Sequence, residues 1–396
     1  MFRFMTAGES HGQALLAIVE GLPAGLRLSE RFINVHLARR QCGYGRGARM
    51  KIEHDEAQLV AGVRFGKTLG SPIALLIRNR DWESWREAMD PRAAPPEAQA
   101  RRVTVPRPGH ADLAGAAKYG ADDVRNVLER ASARETAART AVGAIARRLL
   151  REMGVEVVSH VVRIGSVRAH APDLPWSDIG RRADASDVRC ADAAAAARMR
   201  RAIDRARRAG DTLGGIFQVA ALGAAPGLGS YTQYDLRLDG RLAQALMSIP
   251  GIKGVEIGLG FAAAALPGSR VHDEIAQRRA GSPDQFPPWR RPTNRAGGLE
   301  GGVSNGEPII LQAAMKPIAT LMRPLRSVDM RTGRAAQAHV ERADVCAVPS
   351  AAVVGEAVVA IELARAALDK FGGDSMGEFL RNFRSFRRQV LRQFAA

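Results

Sequence analysis

Cysteine is scarce: Cys42, Cys190 and Cys346 are the only three in 396 residues. They form no Cys-x-x-Cys pair and no Cys/His grouping with metal-ligand spacing, so no metal centre is expected. An odd, low count fits a reducing compartment. Aromatics make up only 5% of the chain, without the interleaving of aromatic and basic residues that builds RNA-stacking surfaces. Lysine is nearly displaced by arginine, 6 against 52. No uninterrupted apolar run reaches spanning length, and the N-terminus MFRFMTAGESHG has no apolar signal core. Together these absences predict a cytoplasmic, soluble protein that binds neither membrane nor nucleic acid.

What is present is an ordinary globular balance, 46% hydrophobic and 25% charged. The length nominally allows two or three domains, although one large domain fits as well. The formal charge of +17 partly reflects an arginine-rich composition, yet it favours anionic partners such as phosphorylated or carboxylated small molecules. Nucleic acid is the competing class, and the lack of aromatic platforms argues against it.

The most informative stretch is Thr104–Ile145. Pro106 and Pro108 hold the chain extended, Gly109 frees it to turn, and His110 sits at the tip with Asp112 close behind. After a second turn at Tyr119–Gly120, Asp122 and Asp123 are good caps for one long helix, along which Val124, Val127, Leu128, Ala131, Ala138, Ala141, Val142, Ile145 and Leu149 recur at helical spacing. Glu135 and Arg139 can pair at i,i+4, whereas Arg130 and Arg134 would be repelling neighbours unless an anion sits between them. Alanines 131, 133, 137 and 138 suit a helix lining a cavity.

Other segments carry candidate chemistry. Phe2–Met5 reads as a strand running into Gly8-Glu9-Ser10-His11-Gly12. The flanking glycines allow a tight turn, with Ser10 a phosphate contact and His11 a proton donor. Leu15–Glu20 is a strand, and Ser29 caps a helix ending near Arg39-Arg40. The loop Gly43–Gly47 lacks the lysine of a Walker loop and the context of a Rossmann fingerprint. Arg40 and Arg46 beside it can still cradle phosphate or carboxylate. Lys51–Val63 reads as strands, Gly66–Gly70 as a hairpin turn, Pro72–Ile77 as a strand and Asp90–Pro106 as a loop. Further strands are expected in Arg151–Val167, Gly214–Val219, Ile252–Ile257 and Pro308–Met315, with helices over Ala193–Ala209 and Leu238–Met247. Ser282–Thr293 is a Pro-rich loop. Five glycines within Gly297–Gly306 either admit a flat anionic ligand or simply form a flexible hairpin. Asp344 either caps the helix starting near Pro349 or acts as a base, and Cys346 reads as a small core residue. Ser375 and Glu378 form a capping box for an amphipathic C-terminal helix over 375–394, packed on the core or on a sister subunit.

The strings GESHG, GYGRGARMKIE, RPGHADLAGAAKYG, ERASARETAAR, SIPGIKGVEIGLGF, NRAGGLEGGVSNGEPI and ERADVCAVP, spread from Gly8 to about Leu363, resemble the chorismate synthase family. The resemblance implies an α/β sandwich, with helices packed between two antiparallel β-sheets, formed by a single domain over residues 1–396 and assembled as a homotetramer. It implies loss of phosphate from 5-enolpyruvylshikimate-3-phosphate in an overall trans-1,4 elimination that gives chorismate. The cofactor implied is reduced FMN, which lends an electron transiently and helps remove the C6 proton. NADPH is a candidate reductant. No Rossmann domain is legible, so a flavin reductase would be a separate protein or a side activity.

Position by position, the resemblance implies that His11 protonates the leaving phosphate, His110 lies near flavin N1 and O2, and Asp344, helped by Ser132, relays the C6 proton through flavin N5. Ser10, Arg40, Arg46, Arg134 and Arg342 fall where substrate phosphate and carboxylates are held, and Arg40 and Arg46 where NADPH contacts are placed. The flavin is expected along Arg130-Ala131-Ser132, near Pro250-Gly251 and Gly301, along Lys316-Pro317-Ile318-Ala319-Thr320, and by Arg342. Two departures stand out. Pro250-Gly251 replaces a frequent Asn-Ala and loses a backbone donor. Ala343 replaces a common serine beside Asp344. A scaffold that keeps the fold without turnover is a third reading, against which the intact set Ser10, His11, His110, Ser132, Arg134 and Asp344 speaks.

Overall fold

Two antiparallel sheets, of four and five strands, form the frame on which the long helices pack. The computed structural model describes residues 2–47, 54–92, 102–170, 174–278, 286–341 and 343–394. The first sheet contains β1 (Arg3–Ala7), β2 (Ala14–Glu20), β3 (Ala57–Ala61) and β4 (Ile73–Arg78), in the order β1-β2-β4-β3. Alternation decides which face is buried: Leu15, Ala17 and Val19 of β2 and Ile73, Leu75 and Ile77 of β4 point into the core. Their intervening neighbours Leu16 and Ile18 stay exposed, and Ile18 lies opposite Met5 of β1.

The second sheet contains β5 (Glu156–Ile164), β6 (Val167–Arg168), β7 (Gly215–Leu222), β8 (Ile252–Ile257) and β9 (Ile309–Met315), in the order β8-β9-β7-β5-β6. Five consecutive residues of β5, Val157–Val161, are buried, so this strand is covered on both faces.

The labelled helices are α1 (Glu30–Gln41), α2 (Asp112–Tyr119), α3 (Arg125–Ala131), α4 (Thr136–Arg151), α5 (Trp176–Asp184), α6 (Ala193–Arg208), α7 (Leu238–Met247), α8 (Val348–Phe371) and α9 (Met376–Phe394). Helix α4 packs on β2 and β4, α8 packs on β5 and β7, and α4 and α8 pack on each other. Their approach is close because α4 carries Gly143, where a Cβ would fall 2.3 Å from that of Ala357. On the other side of α8, Gly355 meets Phe217 of β7 in the same way.

The expected elements fall where the sequence put them for α1, α6, α7, β7, β8 and β9, and Ser29 caps α1 by accepting from the Phe32 amide. Two expectations need correction. The long helix from Asp122 is three pieces: α3, a 3-10 turn over Ala133–Glu135, and α4, with Ser132 extended at φ −64°, ψ 143° between them. Asp123 caps no helix with its side chain but ties Val103 and Arg125 through their amides. Of its two readings the glycine segment 297–306 takes the hairpin one, Leu299–Glu300 against Val303–Ser304, with positive φ at both Gly301 and Gly302. The Ser375–Glu378 capping box forms, and α9 buries Met376, Phe379, Phe383 and Val390 against its own chain. Among the described residues no helix is long and apolar enough to cross a membrane.

Candidate active site

The Ser10-His11 turn joins β1 to β2, and Gly8 makes it possible: at φ +106° a side chain there would also strike the Ala14 carbonyl at 2.3 Å. The break in the helix at Ser132 places α3 against this turn. The Glu129 carbonyl accepts from the Ser10 amide at 3.0 Å, and its carboxylate accepts from the His11 amide at 2.8 Å and from His11 Nδ1 at 2.9 Å. Ser132 Oγ donates to Ser10 Oγ at 3.2 Å. Asn79, following β4, clamps the turn from below through the Glu9 and Gly12 carbonyls.

Three guanidiniums converge in a cluster that Asn79 joins to this turn. Arg134, in the 3-10 turn, binds Asp55 and donates to Asn79 Oδ1 at 2.7 and 2.9 Å. Arg40, on the buried face of α1, binds Asp55 at 3.2 Å, Thr136 at 3.0 Å and the Ala133 carbonyl at 3.0 Å. Burial, together with the charges of Arg46 and Arg134 and against the pull of Asp55, brings Arg40 down to about 10. Arg46 pairs with Asp344 at 2.9 Å, and Asp344 also accepts from the Gly47 amide at 2.7 Å. Asp344 therefore serves this cluster and not the start of α8, whose N-cap is Ala347.

A second cluster gathers at Gly109-His110. Asp112 is fully buried and takes three contacts from Arg107 besides His110 Nδ1 at 2.5 Å. Burial pushes its carboxyl up, but these hydrogen bonds and charges prevail and hold it below the usual range. Arg107 also reaches Thr320 at 2.9 Å. Lys316 donates to the Gly109 carbonyl at 2.6 Å and takes the Gly251 carbonyl on its own amide at 2.9 Å, which brings Pro250-Gly251 to this cluster. The Ile318 carbonyl is taken by Thr212, and Ala319 lies beside Gly109.

The clusters are joined by charge. Arg125 binds Glu129 at 3.0 Å and Glu341 at 3.6 Å, and Arg107 approaches the same Glu341 at 3.7 Å. Burial pushes the Glu341 carboxyl up; His339 and the two arginines outweigh it and hold it low.

Arg130, Ser132 and the Gly301 hairpin take partners of their own. Arg130 and Arg134 take separate protein partners: Arg130 donates to the Thr6 and Gly8 carbonyls as an anchor for the turn, while Arg134 turns to Asp55. No hydrogen bond joins Ser132 to Asp344 among the described residues. The Gly301 hairpin is tied to Arg237, Leu238 and Gly229, and no hydrogen bond connects it to either cluster among the described residues. Arg342 lies outside the described residues. Glu135 pairs with Arg139 as expected, and burial pushes the Cys346 thiol up to about 12, as suits a core residue. Asp55, Asn79, Trp85, Arg107, Arg125 and Glu341 were not singled out from sequence. Only Arg107 and Glu341 lay inside signature strings that could have drawn attention to them.

Arginines around a serine-histidine turn, with carboxylates behind two imidazoles, define an enzyme that binds a multiply anionic small molecule and moves protons on it. The chorismate synthase family model matches residues 2–368. Curated chorismate synthases resemble the chain along its length: that of Trichlorobacter lovleyi is 58% identical over 96% of this chain and 97% of its own. That of Moorella thermoacetica is 60% identical over 94% and 95%. A crystal structure of chorismate synthase superposes with a TM-score of 0.78 at 43% identity, covering 98% of each chain. The chain belongs to the chorismate synthase family. It is a lyase of the shikimate pathway that eliminates phosphate from 5-enolpyruvylshikimate-3-phosphate to give chorismate, in a family that depends on reduced flavin.

Proposed function

We propose that the elimination takes place where the two clusters meet, with the substrate phosphate and carboxylates held by Ser10, Arg40, Arg46, Arg134 and Arg342. The observation that carries this reading is the convergence of Arg40, Arg46 and Arg134, whose mutual repulsion is felt at Arg40 and would be relieved by a polyanion. In the reaction the C6–H pair becomes the new ring double bond and the C3–O pair leaves with phosphate, so one proton is removed and no net oxidation occurs. His11, in the turn that Asn79 joins to the arginine cluster, is the donor to the departing phosphate. Asp344, oriented by Arg46 and the Gly47 amide, keeps lone pairs for the C6 proton, and Ser132 holds Ser10.

The flavin we assign is FMN. The residues of the second cluster fit it: burial, and after it the nearby Lys253, depress the Lys316 ammonium, and an anionic reduced ring beside it would favour its charged form. Lys316, Pro317, Ile318, Ala319 and Thr320 would line it with His110, Pro250, Gly251 and the Arg130-Ala131-Ser132 backbone, and Gly301 and Arg342 are assigned to it as well. When bound, reduced FMN supplies the electron density that phosphate loss requires. NADPH is the reductant we propose, placed at Arg40 and Arg46, with a separate flavin reductase as the other source.

At the scale of the molecule, we assign one domain spanning 1–396, with α4 and α8 sandwiched between the sheets, in a cytoplasmic homotetramer. The outer face of the first sheet supports the assembly, because Met5, Leu16 and Ile18 leave an apolar patch in water, with Met5 73% exposed. Light scattering giving the mass of one chain would refute it.

The residue roles are tested by anaerobic phosphate release with photoreduced FMN. His11→Ala and His110→Ala are each expected to slow turnover by about 10²–10⁴-fold. Turnover within a few-fold of the unaltered enzyme in both would refute the roles.

A further inference from the structure

We propose that Glu129 is a positioning residue for His11, holding the ring so that Nε2 is the atom presented to the departing phosphate. The inference rests on the reading of His11 as the donor and adds the device that fixes its geometry.

Glu129 is 2% exposed and grips the Ser10-His11 turn at three points. Its carbonyl takes the Ser10 amide at 3.0 Å, its carboxylate takes the His11 amide at 2.8 Å, and the same carboxylate takes His11 Nδ1 at 2.9 and 3.1 Å. The ring face is fixed as well. It stacks on Trp85 with centroids 3.9 Å apart and planes 26° from parallel. Trp85 is itself held, its Nε1 donating to Asp81 at 3.2 Å and the Arg125 guanidinium lying 4.9 Å from its ring centre. Arg125 closes the arrangement by binding Glu129 at 3.0 Å.

The chemistry follows from which nitrogen is committed. With Nδ1–H given to a buried carboxylate, the proton for the phosphate must come from Nε2. Once its proton has gone to phosphate, the remaining neutral tautomer is the one Glu129 already binds, so no ring flip is needed before reprotonation. Glu129 is the carboxylate that faces the ring, and Arg125 of the same helix lies against Glu129. Asp81 acts through Trp85, Glu9 lies along the turn itself, and Glu341 sits behind Arg125.

The test compares Glu129→Gln, Trp85→Leu and His11→Ala in the anaerobic assay with photoreduced FMN. Glu129→Gln keeps an acceptor and loses the charge. Its kcat is expected to fall by about 10–10²-fold, less than loss of the donor itself. KM should stay within about twofold, and the alkaline limb of the pH profile should move to lower pH as the charged ring loses its partner. Trp85→Leu leaves the buried ion pairs in place; kcat is expected to fall with the alkaline limb unmoved. If His11→Ala is inactive while Glu129→Gln matches the unaltered enzyme in kcat and pH profile, positioning by Glu129 is wrong and the donor role stands. If His11→Ala turns over normally, the donor role itself fails. Should Glu129→Gln not fold, unchanged kcat in Trp85→Leu would overturn the inference.

Discussion

Asp55 sits fully buried between the guanidiniums of Arg40 and Arg134 and is the counter-charge that lets two arginines share one space. Removing one member of such a buried set leaves the others uncompensated, at a loss of about 3–5 kcal/mol. Asp55→Ala is therefore expected to lower stability by that order in denaturant unfolding, and the loss should shrink when phosphate is added. A loss under 1 kcal/mol would show that Asp55 does not organise the arginines. At this scale the sequence disclosed the residues that sit in glycine turns. His11 and His110 were legible because Gly8, Gly12 and Gly109 bend the chain around them, and the signature strings marked them again. Their partners were not legible. Glu129 is 118 positions from His11, Asp55 lies 79 from Arg134, and Glu341 meets Arg107 from the far end of the chain. No local spacing encodes such pairs.

At the level of elements, the break at Ser132 matters most. Apolar spacing runs on from Val124 to Leu149, so periodicity alone reads one helix. The competing term is the demand for buried hydrogen bonds. Ser132 accepts from the Arg134 amide, and the Ala133 carbonyl, within the turn, accepts from Arg40 and from the Thr136 hydroxyl and amide. The interruption swings Arg134 away from Arg130, which removes the like-charge pair the continuous helix would have imposed. Helices and strands that pack by simple amphipathic rules were placed correctly, as α7 and β8 show. Close contact between α4 and α8 is a second feature of this scale. Gly143→Val is expected to destabilise by about 1–3 kcal/mol through overpacking, measured by thermal unfolding, and Ala357→Gly in the same chain should recover part of it. A neutral Gly143→Val would mean that the helices separate freely.

Across the whole molecule, one ionic group ties the layers together. Glu356 of α8 accepts from Arg39 of α1 at 2.7 and 2.9 Å, Arg147 of α4 at 2.8 Å, Ser159 of β5 at 2.7 Å and Arg189 at 3.2 Å. Burial pushes its carboxyl up, and the three arginines hold it low nonetheless. Beside it, burial and the charges of Arg147 and Arg39 pull His36 down from 6.5 to about 3. A histidine kept neutral in the fold binds fewer protons than in the unfolded chain, so its contribution is complete above pH 6.5 and is lost as pH falls toward 3. Unfolding free energy is expected to decline between those limits, and less steeply in His36→Gln; identical slopes would remove His36 from the account. Neither group was legible from sequence, since Arg39 differs from Arg40 only in which face of α1 it occupies. The most direct measurement is a crystal structure with oxidised FMN and 5-enolpyruvylshikimate-3-phosphate bound together. The account expects the phosphate within hydrogen-bonding distance of His11 Nε2 and the arginines, and the flavin against Lys316 and His110. Phosphate bound away from His11, or flavin seated away from Lys316, would contradict it.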